Sequence, residues 1–303
     1  MMNAPFPCFR PNCNLSFKGM VMQAANLGHI EAETLLVFGG PYGNLEATQA
    51  LFAEAGKLGI APDHIICTGD IVAYCADPLE TSYFLRNKNI NIIQGNCEVF
   101  LAEDSEECGC GFEEGTACDV LSKSWFSYCR SQINADIKEW FGSLPEHLHF
   151  TFGERSFAVV HGSAQNVSEF VFASDSEEKL KDHIQKAGVD CIISGHSGLP
   201  FTKIIGDTCW HNAGVIGMPA NDGTPRVWYS LITQSDGKIV FEHKSLSYPA
   251  SKAQAKMKKA DLPGGYSQAL TSGLWPSLDI LPESEARQTG FNLMEKKAEW
   301  KKS

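Results

Sequence analysis

Short apolar runs that stop at polar turns, alternating with helical stretches, constrain this chain more than any other feature. Thr34-Leu35-Leu36-Val37-Phe38 breaks at Gly39-Gly40-Pro41-Tyr42-Gly43-Asn44, and Leu45 to Leu58 then carries apolar residues at helical spacing. His64-Ile65-Ile66-Cys67-Thr68 ends at Gly69-Asp70, Pro78 to Arg86 reads as a helix, and Ile90 to Gln94 ends at Gly95-Asn96. This rhythm predicts βαβ connections and a mostly parallel sheet. Further on, Ser156 to Val160 runs into His161-Gly162, and Asp190 to Ser194 runs into Gly195-His196. Trp228 to Thr233 and Lys238 to His243 read as a hairpin around Asp236-Gly237, so antiparallel strands are expected at the end of the domain.

Three regions follow from this pattern. Residues 1–33 carry Pro5, Pro7 and Pro11 and then a candidate helix from Gly19 to His29, and read as an N-terminal extension. Residues 34–248 form the domain. Residues 249–303 hold too few apolar residues for a core of their own and are expected to pack on it as a tail, with Lys252 to Lys259 a solvated helix face. The chain has 25 Lys+Arg against 36 Asp+Glu, a formal charge of -11, so it lacks the basic footprint of sequence-independent binding to nucleic acid or to an anionic membrane. No stretch approaches the ~20 apolar residues of a membrane span, and Met1 to Pro7 lacks the apolar run of a signal peptide, so a cytoplasmic location is expected. An odd count of 11 cysteines fits reduced thiols better than a disulfide scaffold.

The strand-end turns present Asp70, Asn96, His161 and His196. A Gly-Asp after a strand is by itself more often a turn with an Asx hydrogen bond. The four together carry more information, because α/β sheets gather ligands beyond the carboxyl ends of their strands. A carboxylate, an amide oxygen and two imidazoles make a mixed O/N set suited to Mn²⁺, Fe²⁺ or Zn²⁺.

In these turns the chain resembles the calcineurin-like metallophosphoesterase superfamily, especially its small bacterial branch. The segments that carry the resemblance are Gly40 to Ala47, Gly69-Asp70-Ile71-Val72-Ala73-Tyr74, Gly95-Asn96-Cys97-Glu98, His161-Gly162-Ser163, Gly195-His196-Ser197-Gly198 and Asn212 to Pro219. The resemblance implies a four-layer α/β sandwich of mixed sheets flanked by helices. It also implies that one metal position survives on Asp70, Asn96, His161 and His196. The ligands of the other position would be Gly40, Tyr42, Asp70 and Gly198, so three of its four ligands are gone. The histidine that assists the phosphoryl group is replaced by Cys97, and the acidic neighbour is kept as Glu98; these are the two implied catalytic positions. Two metals clamp both the attacking and the leaving oxygen of an in-line displacement. One divalent transition metal (Mn, Fe or Zn) is expected here instead.

Three functions compete on this reading. The first is a divergent metal-dependent hydrolase acting on a small phosphorylated molecule. The second is a non-catalytic metal- or ligand-binding module on the same fold. The third is thiol or redox-metal chemistry on Cys97 with Cys108, Cys110 and Cys118, against which stands the plainer reading of scattered thiols or one opportunistic disulfide. Among histidines outside the turns, His211 is singled out because it precedes Asn212.

Overall fold

The computed structural model describes residues 24–301. In chain order the strands are β1 (Ala24–His29), β2 (Thr34–Phe38), β3 (Ile65–Cys67), β4 (Asn91–Ile92), β5 (His147–Phe152) and β6 (Arg155–Val159). They continue as β7 (Cys191–Ser194), β8 (Phe201–Ile205), β9 (Thr208–Asn212), β10 (Val227–Ser235), β11 (Lys238–Leu246) and β12 (Lys296–Lys301). The helices are α1 (Leu45–Lys57), α2 (Pro78–Arg86), α3 (Asn96–Ala102), α4 (Ala117–Gln132) and α5 (Ala135–Ser143). After them come α6 (Glu177–Ala187), α7 (Ala250–Lys259), α8 (Gly264–Ser272) and α9 (Glu283–Ala286).

The strands make two six-stranded sheets, ordered β1-β5-β6-β7-β9-β8 and β12-β11-β10-β2-β3-β4. Alternation along β2 shows how they stack. Leu35 and Val37 point into the layer between the sheets, where they meet Phe150, Phe157, Ile193 and Phe241. Leu36 and Phe38 point the other way, into a core shared with Leu51 of α1, Leu85 of α2, and Trp125 and Phe126 of α4. On the far face of the first sheet, Leu180 and Ile184 of α6 cover Val160, Ile192 and Trp210. Helix, sheet, sheet, helix is the four-layer sandwich that the resemblance implies. No helix among the described residues is long and apolar enough to cross a membrane.

Two expectations need correction. The strand pairings divide evenly between parallel and antiparallel, three of five parallel in the first sheet and two of five in the second, so the sheets are mixed rather than mostly parallel. The antiparallel pairs come from the hairpins β5-β6, β8-β9 and β10-β11, from β10 on β2 and from β12 on β11. The helix expected from Gly19 to His29 does not form in its described part. Residues 24–29 are an edge strand parallel to β5, and Gly28, at φ +70°, has a backbone that a helix does not allow; residues 19–23 lie outside the described residues.

The tail does more than cover a surface. After α7 and α8 it returns as β12, which pairs antiparallel with β11 and buries Trp300 between the sheets. Trp300→Ala should therefore lower stability by about 3–5 kcal/mol, as a fully buried Trp lost from a core does. Urea unfolding measures this, and a loss below about 1 kcal/mol would show that β12 is peripheral.

Candidate metal centre

The site lies where strands of both sheets end. Asp70 follows β3, Asn96 opens α3 just after β4, His161 follows β6 and His196 follows β7. The turns after β3 and β4 nearly touch: a Cβ on Gly95 would fall 2.3 Å from Asp70 Oδ1, so only glycine permits this approach. Glu98 locks the two turns together. Its fully buried carboxylate accepts the backbone N–H groups of Asp70 (2.7 Å), Ile71 (2.8 Å) and Gly95 (2.8 Å). Burial, and next the Asp70 charge, push the Glu98 carboxyl up to about 7, against the pull of these N–H groups. Glu98 is thus a clamp on the backbone rather than a group presented to a ligand.

Asp70 adopts left-handed backbone, φ 55°, and its Oδ1 accepts the Cys97 N–H at 3.2 Å. Its Oδ2 lies 3.2 Å from His161 Nε2. On the other side of the ring, His161 Nδ1 is 2.6 Å from the Thr68 carbonyl, which can only accept, so Nδ1 carries a proton and donates it. That contact also joins the first sheet to the second. Burial would lower the His161 imidazole, but Asp70 outweighs it and raises the group above its ordinary value; the same pairing holds Asp70 low despite its own burial.

Asn96 Nδ2 donates to the Cys108 carbonyl at 2.9 Å, which turns Oδ1 toward His161 Nε2 at 3.1 Å. His196, also left-handed at φ 54°, brings Nδ1 to 3.1 Å from the same nitrogen. Its ring packs on Phe170, and burial, then the charge of His161, push it down to about 3, so it is a neutral imidazole. The Asn212 amide donates to the Gly195 carbonyl and the Ser197 hydroxyl, which supports the turn that carries His196.

All four residues read from the strand ends are therefore brought together. The ligand atoms of Asp70, His161 and His196 lie within 4.8 Å of one another, and Asn96 joins them through its oxygen. Four lone-pair donors aimed at one point, with the Nδ1 proton of His161 and the amide protons of Asn96 already used elsewhere, suit a cation at their centre. Cys97 lies beside them, and burial, then Asp70 and Glu98, hold its thiol protonated.

The positions that the resemblance implies for a second metal are built differently. A Cβ on Gly40 would sit 2.5 Å from the Tyr42 ring, so Tyr42 fills the space of the missing side chain. Gly198 opens toward Trp275 of the tail. Between them runs a cleft that reaches Asp70 and His196 and is walled by Tyr74, Phe170, Tyr266 and Trp275. Among the described residues that line it, none is lysine or arginine. Motif reading misses Tyr266 and Trp275 because they come from the tail; Tyr74 stands within a matched segment but outside its ligand positions.

Of the clustered cysteines, Cys108 and Cys110 form a disulfide, and Cys110 and Cys118 line the cleft with Cys97. His211 lies away from the site: it stacks on His243 between the sheets, and both rings bond the Thr202 hydroxyl.

With this geometry in hand, comparison with known proteins is informative. Residues 42–236 match the profile of the calcineurin-like phosphoesterase superfamily domain. The uncharacterized protein MJ0912 of Methanocaldococcus jannaschii is 26% identical over 250 residues, which span 77% of this chain and 95% of that protein. The hypothetical protein PH1004 from Pyrococcus horikoshii OT3 superposes with a TM-score of 0.67 at 16% identity, covering 80% of this chain and 99% of that one. A metallophosphoesterase from Sphaerobacter thermophilus superposes at 0.60 and 21% identity, covering 80% of this chain and all of its own. At these identities the two structures speak to the fold.

Gly95→Ala should force Asp70 and its backbone aside and cost about 1–3 kcal/mol, the usual penalty of overpacking. Gly56→Ala, on the exposed face of α1 where a Cβ meets nothing within 4 Å, should instead stabilise by roughly 0.5–1 kcal/mol. Equal effects of the two in urea unfolding would refute the close-approach argument.

Proposed function

The chain belongs to the calcineurin-like phosphoesterase superfamily, and from that premise we propose that it holds one divalent transition metal on Asp70, Asn96, His161 and His196 and hydrolyses a small phosphorylated molecule there. The observation that carries this reading is the meeting of Asp70, Asn96 and His196 at His161 Nε2, each within 3.1–3.2 Å. Mn²⁺, Fe²⁺ and Zn²⁺ all accept such a set. A metal in this position supplies Lewis acidity toward a phosphoryl oxygen.

The chain's own residues do the rest. The Thr68 carbonyl keeps His161 in the tautomer whose Nε2 faces the site, and the Cys108 carbonyl keeps the Asn96 oxygen turned inward. Glu98 holds the Asp70 turn, and the Cys97 N–H holds the Asp70 carboxylate. Phe170 and the tail's Trp275 wall the cleft, which limits the water that reaches Asp70 and His196.

A second reading, a ligand-binding module without turnover, draws on a specific observation. Gly40, Tyr42 and Gly198 leave only Asp70 of the ligands implied for a second metal, and the described residues that line the cleft offer no lysine or arginine to a phosphate dianion. A thiolate function is disfavoured by the protonated state of Cys97.

Metal analysis and turnover separate these readings. Purified protein should carry about one equivalent of transition metal per chain, strongly reduced in Asp70→Asn and His196→Ala. Hydrolysis of p-nitrophenyl phosphate that vanishes in both variants supports the hydrolase; bound metal without turnover supports the module. Combining Gly40→Asp, Tyr42→His and Gly198→His should raise bound Mn²⁺ toward about two equivalents and increase hydrolysis. No increase in metal would mean that these three positions do not form the second half of the site.

A further inference from the structure

Tyr42 and Tyr74 are the unexplained polar groups of the cleft. Their rings meet edge to face at 4.8 Å, and Tyr74 in turn lies 4.4 Å from Tyr266. Tyr42 is only 5% exposed, yet no described residue hydrogen-bonds either hydroxyl. Neither hydroxyl is among the fully buried polar atoms left without a partner, so both reach the open cleft and are free to donate there. Both phenols line the same cleft as Asp70 and His196, and burial pushes both far above their ordinary value, so each stays an O–H donor.

Charge narrows what they meet. Asp70 is the one carboxylate in the candidate ligand set, so a divalent metal there would leave about one positive charge in excess. No lysine or arginine adds to it among the described lining residues. Neutral phenols donate hydrogen bonds but bring no charge. The remaining walls, Met218, Phe170, Trp275 and Ile280, are apolar and largely flat.

Resting on the single-metal reading above, we propose that Tyr42 and Tyr74 take over the oxygen-binding role of the missing metal. They donate hydrogen bonds to one oxygen of a singly charged oxyacid, whose flat apolar substituent lies against Phe170 and Trp275. This separates the chain from a site that clamps a dianion between two metals, and it gives the tail a direct part in ligand selection.

The test is calorimetry on zinc-loaded, full-length protein with two singly charged probes, phenyl methylphosphonate and methyl methylphosphonate. The phenyl probe should bind about tenfold more tightly, and Trp275→Ala should remove most of that preference. Tyr42→Phe and Tyr74→Phe should each weaken the phenyl probe about three- to tenfold, the range of one neutral hydrogen bond, with zinc content unchanged. Their thermal stability should not fall, because the deleted hydroxyls have no hydrogen-bond partner among the described residues. Zinc-loaded protein that shows no preference for the phenyl probe, or phenylalanine variants that bind it as the parent does, overturns this proposal alone. Protein that takes up no zinc overturns the single-metal reading as well, and the two failures are told apart by the metal content.

Discussion

Glu98 has no exposed surface, and its two oxygens accept the backbone N–H groups of Asp70, Ile71 and Gly95, so the turns after β3 and β4 hang on one side chain. Turns that end short parallel strands have unpaired N–H groups, and burying them unsatisfied would be costly. A carboxylate satisfies several at once and fixes their spacing. Asp70 can then adopt its left-handed backbone and aim its side chain at the other sheet, where His161 arrives anchored to the Thr68 carbonyl. The site is thus a seam between two sheets, and its geometry depends on buried hydrogen bonds more than on the candidate ligands themselves.

The turn that holds Gly40 and Tyr42 follows a steric logic. The Tyr42 ring occupies the volume that any side chain at Gly40 would need, since a Cβ there would lie 2.5 Å from the ring. An aspartate at 40 and the present Tyr42 exclude each other. Tyr42 also packs against Tyr74, which packs against Trp125 and Tyr266, so its ring is held by an aromatic chain reaching from α4 to the tail.

How much of this is legible in the sequence depends on how local each signal is. Asp70, Asn96, His161 and His196 can be read because each follows an apolar run at once, and the fold brings such ends together. The hairpin at Asp236-Gly237 and the helix Pro78–Arg86 are equally local. Strands β8, β9 and β12 are not: Lys296 to Lys301 carries two lysines in a row and becomes a strand only because β11 offers it an unpaired edge. Tyr266 and Trp275 are invisible as site residues for the same reason, since only the docking of the tail brings them to the cleft.

That docking is itself electrostatic in a way the charge pattern conceals. The Lys252 to Lys259 stretch reads as a solvated helix face, yet Lys256 lies 2.7 Å from Glu46 and 2.5 Å from Asp77, and Lys252 lies 3.3 Å from Glu46. Glu46 is 3% exposed, and burial alone would raise its carboxyl; Lys256 outweighs that and holds it below its ordinary value. A buried carboxylate left without its cation would be strongly unfavourable, so α7 is bound to the helix that follows the Gly40–Asn44 turn. α7 packs on α8, and α8 carries Tyr266 to the aromatic chain beside Asp70. The ion pair therefore ties the tail to the helix that follows the Gly40–Asn44 turn, and the tail brings Tyr266 against Tyr74 in the cleft.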